Sequence, residues 1–535
     1  MRAHTLVWIM LFGFLSVLGS KGEHVTTVNV HDPVRIFGDT GAGRSLTNIQ
    51  KQGVSVEAGD NSITVACDPE DISDDIQAAV DTLRDLGGGT IYLPECDAQF
   101  KATVGSSSGT RFPGGINIIG KGIGDTILRS DGSMFFDINH WGDAGGSFRI
   151  SGISFYGAPL ESGTYTNRGI SISNIVDFRI DHCYFERIHY NIGVSSRPGY
   201  PQSRGVVDHC SFIAADLGTV YGVFDSRVWD TDMKLGTAEA TFVEDCYFED
   251  NGHPMASFGG GHYVLRHSTI VNSDSIDAHG PGFDSSGRGA RASEIYENEI
   301  YHDPGDDGWT AIGLRAGGGV IFNNIFRTYD HAVRFSIDTY GYNATGGLYP
   351  TLDQVHNMWI WDNTLIDIAY DPDSPGYQDD LSNPDRSVVS GVLLYSNRAG
   401  ELIRLGRDFF MRAPYLELDG FNYSPYTYPH PLTDELDLWG APGDKRIELF
   451  WKVQVDLPIT STWQIEYYAT EVPTAIVATS TLTNTARSYT LDNLENYTSY
   501  TVILQTIGAS PALSDTVRVM PTDYLTLFPV VATDD

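Results

Sequence analysis

A five-residue pattern recurs eight times through the middle of the chain, and it limits the fold more than any other feature. The copies begin at Ser151 and end with the segment centred on Asn363, and their central residues are separated by 30, 27, 36, 22, 30, 26 and 39 positions. A shortest step of 22 residues with variable insertions is typical of the coils of a parallel β-helix, in which insertions enter the turns. The repeat therefore predicts such a helix.

Equivalent positions of successive coils stack directly on one another. The central residues of the eight copies are Ile153, Cys183, Cys210, Cys246, Ser268, Asn298, Asn324 and Asn363. This order predicts an internal column of cysteines followed by a column of asparagines, whose amides hydrogen-bond along a ladder. We interpret the three cysteines as buried structural thiols. A thiolate metal site is the alternative, but no histidine lies at tetrahedral spacing.

The segment 73–86 predicts an amphipathic helix that covers the first coil. Its apolar residues are Ile76, Ala79, Val80, Leu83 and Leu86. Ser73 is the expected N-cap, and the glycines 87–89 end the helix. A helix at this place protects the open edge of the first strands. Cys67 and Cys96 flank this helix and the following strand, and in an oxidising compartment they can form a disulfide.

Three segments near this helix resemble the N-terminal signature of the pectate-lyase-like superfamily. They are Asp75-Ile-Gln-Ala-Ala-Val80, Gly87-Gly-Gly-Thr-Ile-Tyr-Leu-Pro94 and Ile119-Gly-Lys-Gly-Ile-Gly-Asp-Thr-Ile-Leu128. With the coil repeat, the resemblance covers roughly residues 65–435. It implies a right-handed parallel β-helix, a fold used mainly for acting on or gripping acidic polysaccharides. A fold of this kind hosts many reactions and does not by itself identify one.

The composition excludes some classes of partner. Among 535 residues, 69 are Asp or Glu and 34 are Lys or Arg, which gives a net charge of −35. Such a charge repels nucleic acids and anionic membranes. The 57 glycines, 28 tyrosines and 25 phenylalanines are typical of a turn-rich, all-β protein.

Residues 1–20 predict a secretory signal peptide. Arg2 precedes an apolar run from Leu6 to Leu18, and the small residues Gly19 and Ser20 follow. An uncleaved anchor is the alternative. We therefore expect a secreted or cell-surface protein without membrane insertion. Residues 21–60 form a leader before the β-helix, which is predicted to extend from residue 61 to residue 438.

The pattern changes near Pro431, and residues 445–522 predict a small β-sandwich. Apolar and polar residues alternate there in five predicted strands. Trp451, and Leu494 six positions before Tyr500, resemble the fibronectin type III pattern. That resemblance implies a spacer or connector. Residues 523–535 are expected to form a tail.

Candidate catalytic residues are densest between positions 262 and 315. A lyase acting on a uronate needs a cation for the carboxylate, a base for the C5 proton and an acid for the leaving oxygen, whereas a hydrolase needs two or three carboxylates. We predict His279 as the proton-transfer residue and Arg288 or Arg291 as the ligand of the acid group. Glu294 would orient one of them or act as the acid. A purely structural ion-pair network is the alternative.

Other residues of this stretch are candidates for substrate binding, because neighbouring coils bring equivalent positions about 4.8 Å apart. They are Arg266, His267, Arg315 and Trp309. The stretch also resembles a group of bacterial secreted β-helix proteins, which implies no particular reaction.

An acidic insertion between two coils is the candidate metal site. Asp225, Asp230 and Asp232 supply the carboxylates that Ca²⁺ prefers, and Ca²⁺ is the one cofactor that the sequence suggests. A solvated acidic loop is the alternative interpretation.

These observations favour a secreted polysaccharide lyase that cleaves an anionic, uronate-containing glycan by β-elimination. Two alternatives stay open: a non-catalytic surface or adhesion protein that binds glycans, and a glycoside hydrolase on the same scaffold.

Overall fold

The middle of the chain winds into coils whose strands pair in parallel with those of the coils before and after. The computed structural model describes residues 55–57, 62–105, 115–130, 132–139, 147–157, 166–197, 200, 202–215, 218–225, 233–280, 289–303, 308–337, 353–368, 387–389, 391–395, 403–433, 436–453, 457, 460–469, 478–508, 513–519 and 521. The predicted signal peptide and C-terminal tail lie outside these ranges. Within them, no helix is long and apolar enough to cross a membrane.

Within these described ranges, thirteen strands form the first sheet, here called sheet A. In spatial order they are β1 (Ser55–Glu57), β2 (Ser62–Thr64), β3 (Gly89–Tyr92), β5 (Ile116–Ile119), β8 (Phe148–Ser151), β11 (Val176–Asp181), β14 (Arg204–Asp208), β17 (Thr241–Glu244), β20 (His262–Arg266), β23 (Ala292–Tyr296), β26 (Gly318–Phe322), β28 (Met358–Trp361) and β32 (Phe409–Phe410). All neighbours from β2 onward pair in parallel, as a β-helix requires.

Nineteen strands of the described part of the chain form the second sheet, sheet B. In chain order they are β4 (Cys96–Gln99), β6 (Thr126–Arg129), β7 (Phe136–Asn139), β9 (Ser154–Tyr156), β10 (Thr166–Ser173), β12 (Tyr184–Glu186), β13 (Ile188–Ser196), β15 (Ser211–Ile213), β16 (Gly218–Asp225), β18 (Tyr247–Glu249), β19 (Met255–Phe258), β21 (Thr269–Val271), β22 (Ile276–Ala278), β24 (Glu299–Tyr301), β25 (Gly308–Leu314), β27 (Ile325–Phe335), β29 (Thr364–Ile368), β30 (Ser387–Val389) and β31 (Val392–Leu394).

Sheet B contains two parallel rows of strands, so a coil crosses three rows in all. After its sheet A strand, a coil adds a short strand such as β12 and then a longer one such as β13. We call the strands that follow the short ones the third row; in spatial order they are β7, β10, β13, β16, β19, β22, β25, β27 from Tyr329 onward, and β31. The architecture is the predicted right-handed parallel β-helix.

Side chains repeat down the inside of the coils as the sequence pattern predicts. The last residue of the repeat places Phe155, Phe185, Phe212 and Phe248 in a fully buried stack, with ring centres 4.8, 5.0 and 5.1 Å apart. These spacings match the distance between paired strands, so each ring stacks on its counterpart one coil away.

The two predicted polar columns are also present. The side-chain amide of Asn298 donates to Asn324 over 3.0 Å, and that of Asn324 donates to Asn363 over 2.9 Å. Cys183, Cys210 and Cys246 are buried free thiols, and each Sγ donates to the carbonyl two residues before it. Burial raises the pKa of the Cys183 and Cys210 thiols well above the ordinary value. The thiols are therefore protonated, which supports the structural interpretation.

Helix α1 (Ser73–Leu86) occupies the predicted segment, and its apolar face joins the interior of the coils. Ser73 is not the N-cap, however, because Ile72 takes that position. The carboxylate of Asp71 instead accepts from the Ser73 N–H over 3.1 Å and from its hydroxyl over 2.5 Å. Cys67 and Cys96 form a disulfide, with Cα atoms 5.5 Å apart.

A β-sandwich follows the coils and the short helix α2 (Leu416–Asp419). One sheet has the order β33 (Leu436–Gly443), β34 (Arg446–Val453) and β37 (Ser488–Asp492); the other has β36 (Ala478–Thr483), β35 (Thr462–Ala469), β38 (Tyr500–Ile507) and β39 (Ser514–Val519). The sandwich begins before the expected residue 445, because residues 436–443 pair with β34 along their whole length.

Candidate functional site

The outward face of the third row brings together residues that are far apart in the sequence. Asp277 of β22 pairs in register with Gly313 of β25. His279 and Arg315 continue these two strands by one residue, since the His279 N–H donates to the Ser257 carbonyl and the Arg315 N–H donates to the Ala278 carbonyl. Alternate residues of a strand share a face, so Asp277 and His279 point the same way.

Arg315 connects the two other members of this cluster. One guanidinium nitrogen, Nη2, donates both to Oδ2 of Asp277 and to Nδ1 of His279. A guanidinium has only donors, so Nδ1 of His279 accepts and the ring proton lies on Nε2. Nε2 faces Oδ2 of Asp277 at 3.5 Å. The three side chains therefore form a closed cluster, which we call the Asp277 cluster.

The cluster holds a neutral histidine beside an ionised carboxylate. Burial lowers the pKa of His279 to about 4, although Asp277 opposes this shift. Burial alone would raise the pKa of Asp277, but His279 and Arg315 outweigh it and hold that pKa below its ordinary value. The Arg315 side chain keeps 25% of its surface exposed, against 5% for His279. Arg315 is thus the member that reaches solvent.

His253 borders the cluster and did not emerge from the sequence. Its Nδ1 lies 2.7 Å from the Ser275 carbonyl, which fixes a proton on that nitrogen, and its Nε2 lies 4.0 Å from Oδ2 of Asp277. The His253 and His279 rings meet edge to face with centres 6.3 Å apart. In the sequence, only the gap of 26 residues between them, close to one coil length, connects these histidines.

Two buried oxygen atoms at this site make no hydrogen bond within the described ranges of the chain. They are Oδ1 of Asp277 and Oγ of Ser257. Ser257 pairs with Ala278, one strand from the cluster. Buried oxygens usually have a partner, so these atoms have capacity for water or a ligand group.

Arg266 lies on the outer face of sheet A and is completely buried. Its Nε donates to Glu244 over 2.7 Å, and its Nη1 donates to the Tyr296 hydroxyl over 3.1 Å. The residues 421–433, here called the cover segment, lie over it, and the Tyr426 and Thr427 carbonyls accept from its guanidinium over 2.8 and 2.9 Å. In this arrangement a substrate has no access to Arg266.

Glu294 also lies under the cover segment and away from the Asp277 cluster. It accepts from Nε2 of His262 over 2.9 Å, from the Tyr423 hydroxyl over 2.5 Å and from the Gly236 N–H over 3.1 Å. Glu294 is 1% exposed. The contacts of this carboxylate attach the cover segment and residue 236 to sheet A.

The remaining candidates occupy separate places. Arg291 is buried just before β23, and Nε2 of His267 lies 2.9 Å from Glu297. Trp309, which is 42% exposed, lies on β25. Arg288 lies outside the described residues. The structure therefore brings His279 and Arg315 together and separates both from Arg266 and Glu294.

The acidic insertion predicted to bind Ca²⁺ lies mostly outside the described residues. Asp225 ends β16, but its side chain lies outside the described part, as do Asp230 and Asp232. Among the residues that are described, no group of three or more His, Cys, Asp and Glu side chains is arranged to hold a metal ion.

No protein-family model matches this sequence, and no curated protein matches it. Solved structures that are similar to it include two epimerase modules and one catalytic domain. The A-module of the Azotobacter vinelandii mannuronan C-5 epimerase AlgE6 covers 55% of this chain and 82% of its own, at 14% identity and a TM-score of 0.39. The A-module of AlgE4 from the same organism covers 60% of this chain and 95% of its own, at 13% identity and a TM-score of 0.30. The Agl-KA catalytic domain covers 65% of this chain and 69% of its own, at 13% identity and a TM-score of 0.31. At identities of 13–14%, such likeness does not identify an activity.

Proposed function

We propose that this chain is a carbohydrate-active enzyme that cleaves an acidic polysaccharide at a uronate unit by β-elimination. The contact of Arg315 with both Asp277 and His279 on the outward face of the third row carries the proposal. It combines a partly exposed cation with a neutral imidazole, which are the two groups that removal of a proton next to a carboxylate requires.

Arg315 supplies the carboxylate-binding group. A guanidinium binds a carboxylate through two parallel hydrogen bonds, so the uronate can recruit Arg315 from its present partners. The same contact stabilises the negative charge that develops when C5 loses its proton. Once Arg315 turns to the substrate, Nδ1 of His279 no longer accepts from it, and this nitrogen then has a lone pair for the C5 proton.

The proton and the electrons balance through His279. Nδ1 takes the proton from C5, the electrons of the C5–H bond form the C4–C5 double bond, and the C4–O4 bond breaks. The imidazolium returns the proton to O4 as the leaving chain departs. Asp277, 3.5 Å from Nε2, stabilises the imidazolium between the two transfers.

A hydrolytic mechanism is less well supported by the same cluster. Hydrolysis of a glycosidic bond needs a protonated carboxyl group as general acid. Arg315 and His279 hold the pKa of Asp277 below its ordinary value, so this carboxyl group is ionised at neutral pH.

The experiment that tests this function is a product assay on pectate, alginate, ulvan and chondroitin sulfate. β-Elimination leaves an unsaturated uronate that absorbs in the near ultraviolet, and we expect this absorbance to rise with one of these polymers. New reducing ends without absorbance would show hydrolysis instead. Binding without either product would show a glycan-binding protein.

Acid is expected to destabilise the folded protein between pH 6.5 and pH 5. Burial lowers the pKa of His279 and of His430 to about 4, whereas in the unfolded chain both protonate near 6.5. The unfolded state therefore binds more protons in this range, and the free energy of unfolding falls by about 1.5 kcal/mol for each histidine. Denaturant unfolding at several pH values measures the slope. The His430→Gln variant should show about half of it, and an unchanged slope would contradict the assignment.

Secretion forms part of the proposal. The Cys67–Cys96 disulfide supports it, because such bonds persist in oxidising compartments. The signal peptide proposed for residues 1–20 would direct the export.

We infer that the sandwich is a fibronectin type III module serving as a spacer. The separation into sheets of three and four strands supports this inference. Further support comes from Tyr500 at the start of β38, whose hydroxyl accepts from the Glu495 N–H over 3.0 Å. A tyrosine bonded to the backbone a few residues upstream is a hallmark of such sandwiches. Trp451 and Trp463 fill the core, with ring centres 5.8 Å apart.

Ca²⁺ bound by Asp225, Asp230 and Asp232 remains a proposal. We expect a chelator to lower the melting temperature or the turnover, and added Ca²⁺ to restore it, because clustered carboxylates repel one another without a cation. Differential scanning calorimetry with and without EDTA makes the measurement. The triple variant with asparagine at these positions is the control, since it should not respond to EDTA. If EDTA changes neither the melting temperature nor the turnover of the unmodified protein, the proposed Ca²⁺ site is wrong.

A further inference from the structure

Trp309, Arg334 and Tyr395 form a second group of side chains on the third row. Trp309 belongs to β25, Arg334 to β27, and Tyr395 directly follows β31. The Arg334 guanidinium lies over the Trp309 ring, 4.2 Å from its centre, and 5.4 Å from the centre of the Tyr395 ring. The two aromatic rings meet edge to face at 5.3 Å. This arrangement fixes the position of the guanidinium by cation–π contact.

This aromatic group and the Asp277 cluster share one face of the sheet. Asp277, Gly313 and Arg334 are in register on three successive strands. Paired strands are about 4.8 Å apart, which puts the Arg334 backbone about 10 Å from that of Asp277. Trp309 of β25 and Arg315, which continues that strand, are six residues apart, and an even spacing along a strand puts both side chains on the same face. A polymer bound at the Asp277 cluster has the aromatic group within reach.

Gly313 makes room for the arginine between the two sites. A Cβ atom at this position would lie 2.8 Å from Nη2 of Arg334, which is closer than such atoms approach. A larger residue at 313 would push the guanidinium away from Trp309. The absence of a side chain here allows the guanidinium to extend back over β25, towards the Asp277 cluster.

We propose that Trp309, Arg334 and Tyr395 form a second subsite, which holds another uronate unit of the polymer cleaved at the Asp277 cluster. The inference rests on the proposed function, because it takes the same polymer as the ligand. The 42% exposed Trp309 offers an apolar ring surface to a pyranose, and Arg334 offers donors to its carboxylate. Trp309 then supplies affinity for any sugar, whereas Arg334 selects for the acid.

Binding to acidic and carboxyl-reduced polymers tests whether Trp309 binds any sugar and Arg334 selects for the acid. The probes are pectate, alginate, ulvan and chondroitin sulfate, each with its carboxyl-reduced form, in affinity electrophoresis. We expect Arg334→Gln to weaken binding of the acidic polymer about tenfold with little change for the reduced one, since a charge-assisted hydrogen bond is lost. Trp309→Ala should weaken binding of both about tenfold. Arg334→Lys should recover part of the loss.

Two control variants match the tested residues in type and exposure. Arg327→Gln removes an arginine from the same strand, where Arg327 pairs with Glu299 over 3.1 Å and its side chain is 42% exposed. Tyr92→Ala removes an aromatic residue that is 40% exposed on sheet A. Both should bind as the unmodified protein does.

The outcomes separate the subsite from the reaction. Unchanged binding in Arg334→Gln and Trp309→Ala, with cleavage intact, would overturn the subsite alone. Weakened binding in both, with no unsaturated product from any polymer, would support the subsite and overturn the lyase. Equal losses by Arg334→Gln on acidic and reduced polymers would overturn acid selection. No binding to any of the polymers by the unmodified protein would overturn both proposals.

Discussion

Replacing His279 with glutamine is expected to lower the rate of β-elimination at least about 100-fold, because general base catalysis contributes about 10²–10⁴. Glutamine approximates the size of the imidazole and can accept from Arg315, so the cluster should stay assembled. It cannot take a proton from C5. The rate of near-ultraviolet absorbance increase on the cleaved polymer measures the effect, and binding of that polymer should change little.

Asp277→Asn separates the base from the group that supports it. The variant retains the shape of the side chain and loses the charge that stabilises the imidazolium, so we expect a smaller loss of turnover than in His279→Gln. His182→Gln is the matched control. His182 contacts the Asp181 carboxylate, as His279 does that of Asp277, but on the sheet A side of the coil. Full turnover in His279→Gln, with loss in His182→Gln, would contradict the assignment.

The interior of the coils was predictable because it repeats. A residue at the centre of the repeat has to face its counterpart one coil away, so the spacing alone placed Asn298 above Asn324. Because these central positions are buried and stacked, only a few residue types fit there. Helix α1 was likewise predictable, since its apolar spacing and terminal glycine are local signals. Its N-cap was not, because the helix begins one residue earlier than expected, with Ile72 at the N-cap position and Ser73 as the first helical residue.

The contacts between side chains on the outer surface of the coils could not be predicted from the repeat. Each coil crosses three rows, so residues close in sequence point to different faces: Arg266 faces the cover segment, whereas Asp277, eleven residues later, faces the third row. His279 and Arg315 touch across 36 residues because insertions set the coil length. The carbonyls that bind Arg266 come from about 160 residues further along the chain. The density of charged residues in the sequence identified the region between positions 262 and 315. Only the path of the chain shows that Arg266 and Glu294 lie apart from the Asp277 cluster.

Replacing Arg266 with alanine is expected to lower the free energy of unfolding of the β-helix by about 3–5 kcal/mol, because the Glu244 carboxylate would be left buried without its counter-ion. Both side chains are completely buried, and their closest atoms are 2.6 Å apart. The Tyr426 and Thr427 carbonyls lose their donors at the same time. Denaturant unfolding followed by circular dichroism measures the loss, and limited proteolysis should cut the cover segment faster than in the unmodified protein.

Two further variants decide whether the charge pair itself causes this loss. Arg129 pairs with Asp97 over 2.7 Å, but the two side chains are 38% and 54% exposed, so Arg129→Ala should cost no more than about 1 kcal/mol. The double variant Arg266→Met with Glu244→Leu removes the buried charges together and should recover much of the stability lost in Arg266→Ala. If the double variant is as unstable as Arg266→Ala, the contacts of the guanidinium with the cover segment, and not the unpaired carboxylate, account for the loss.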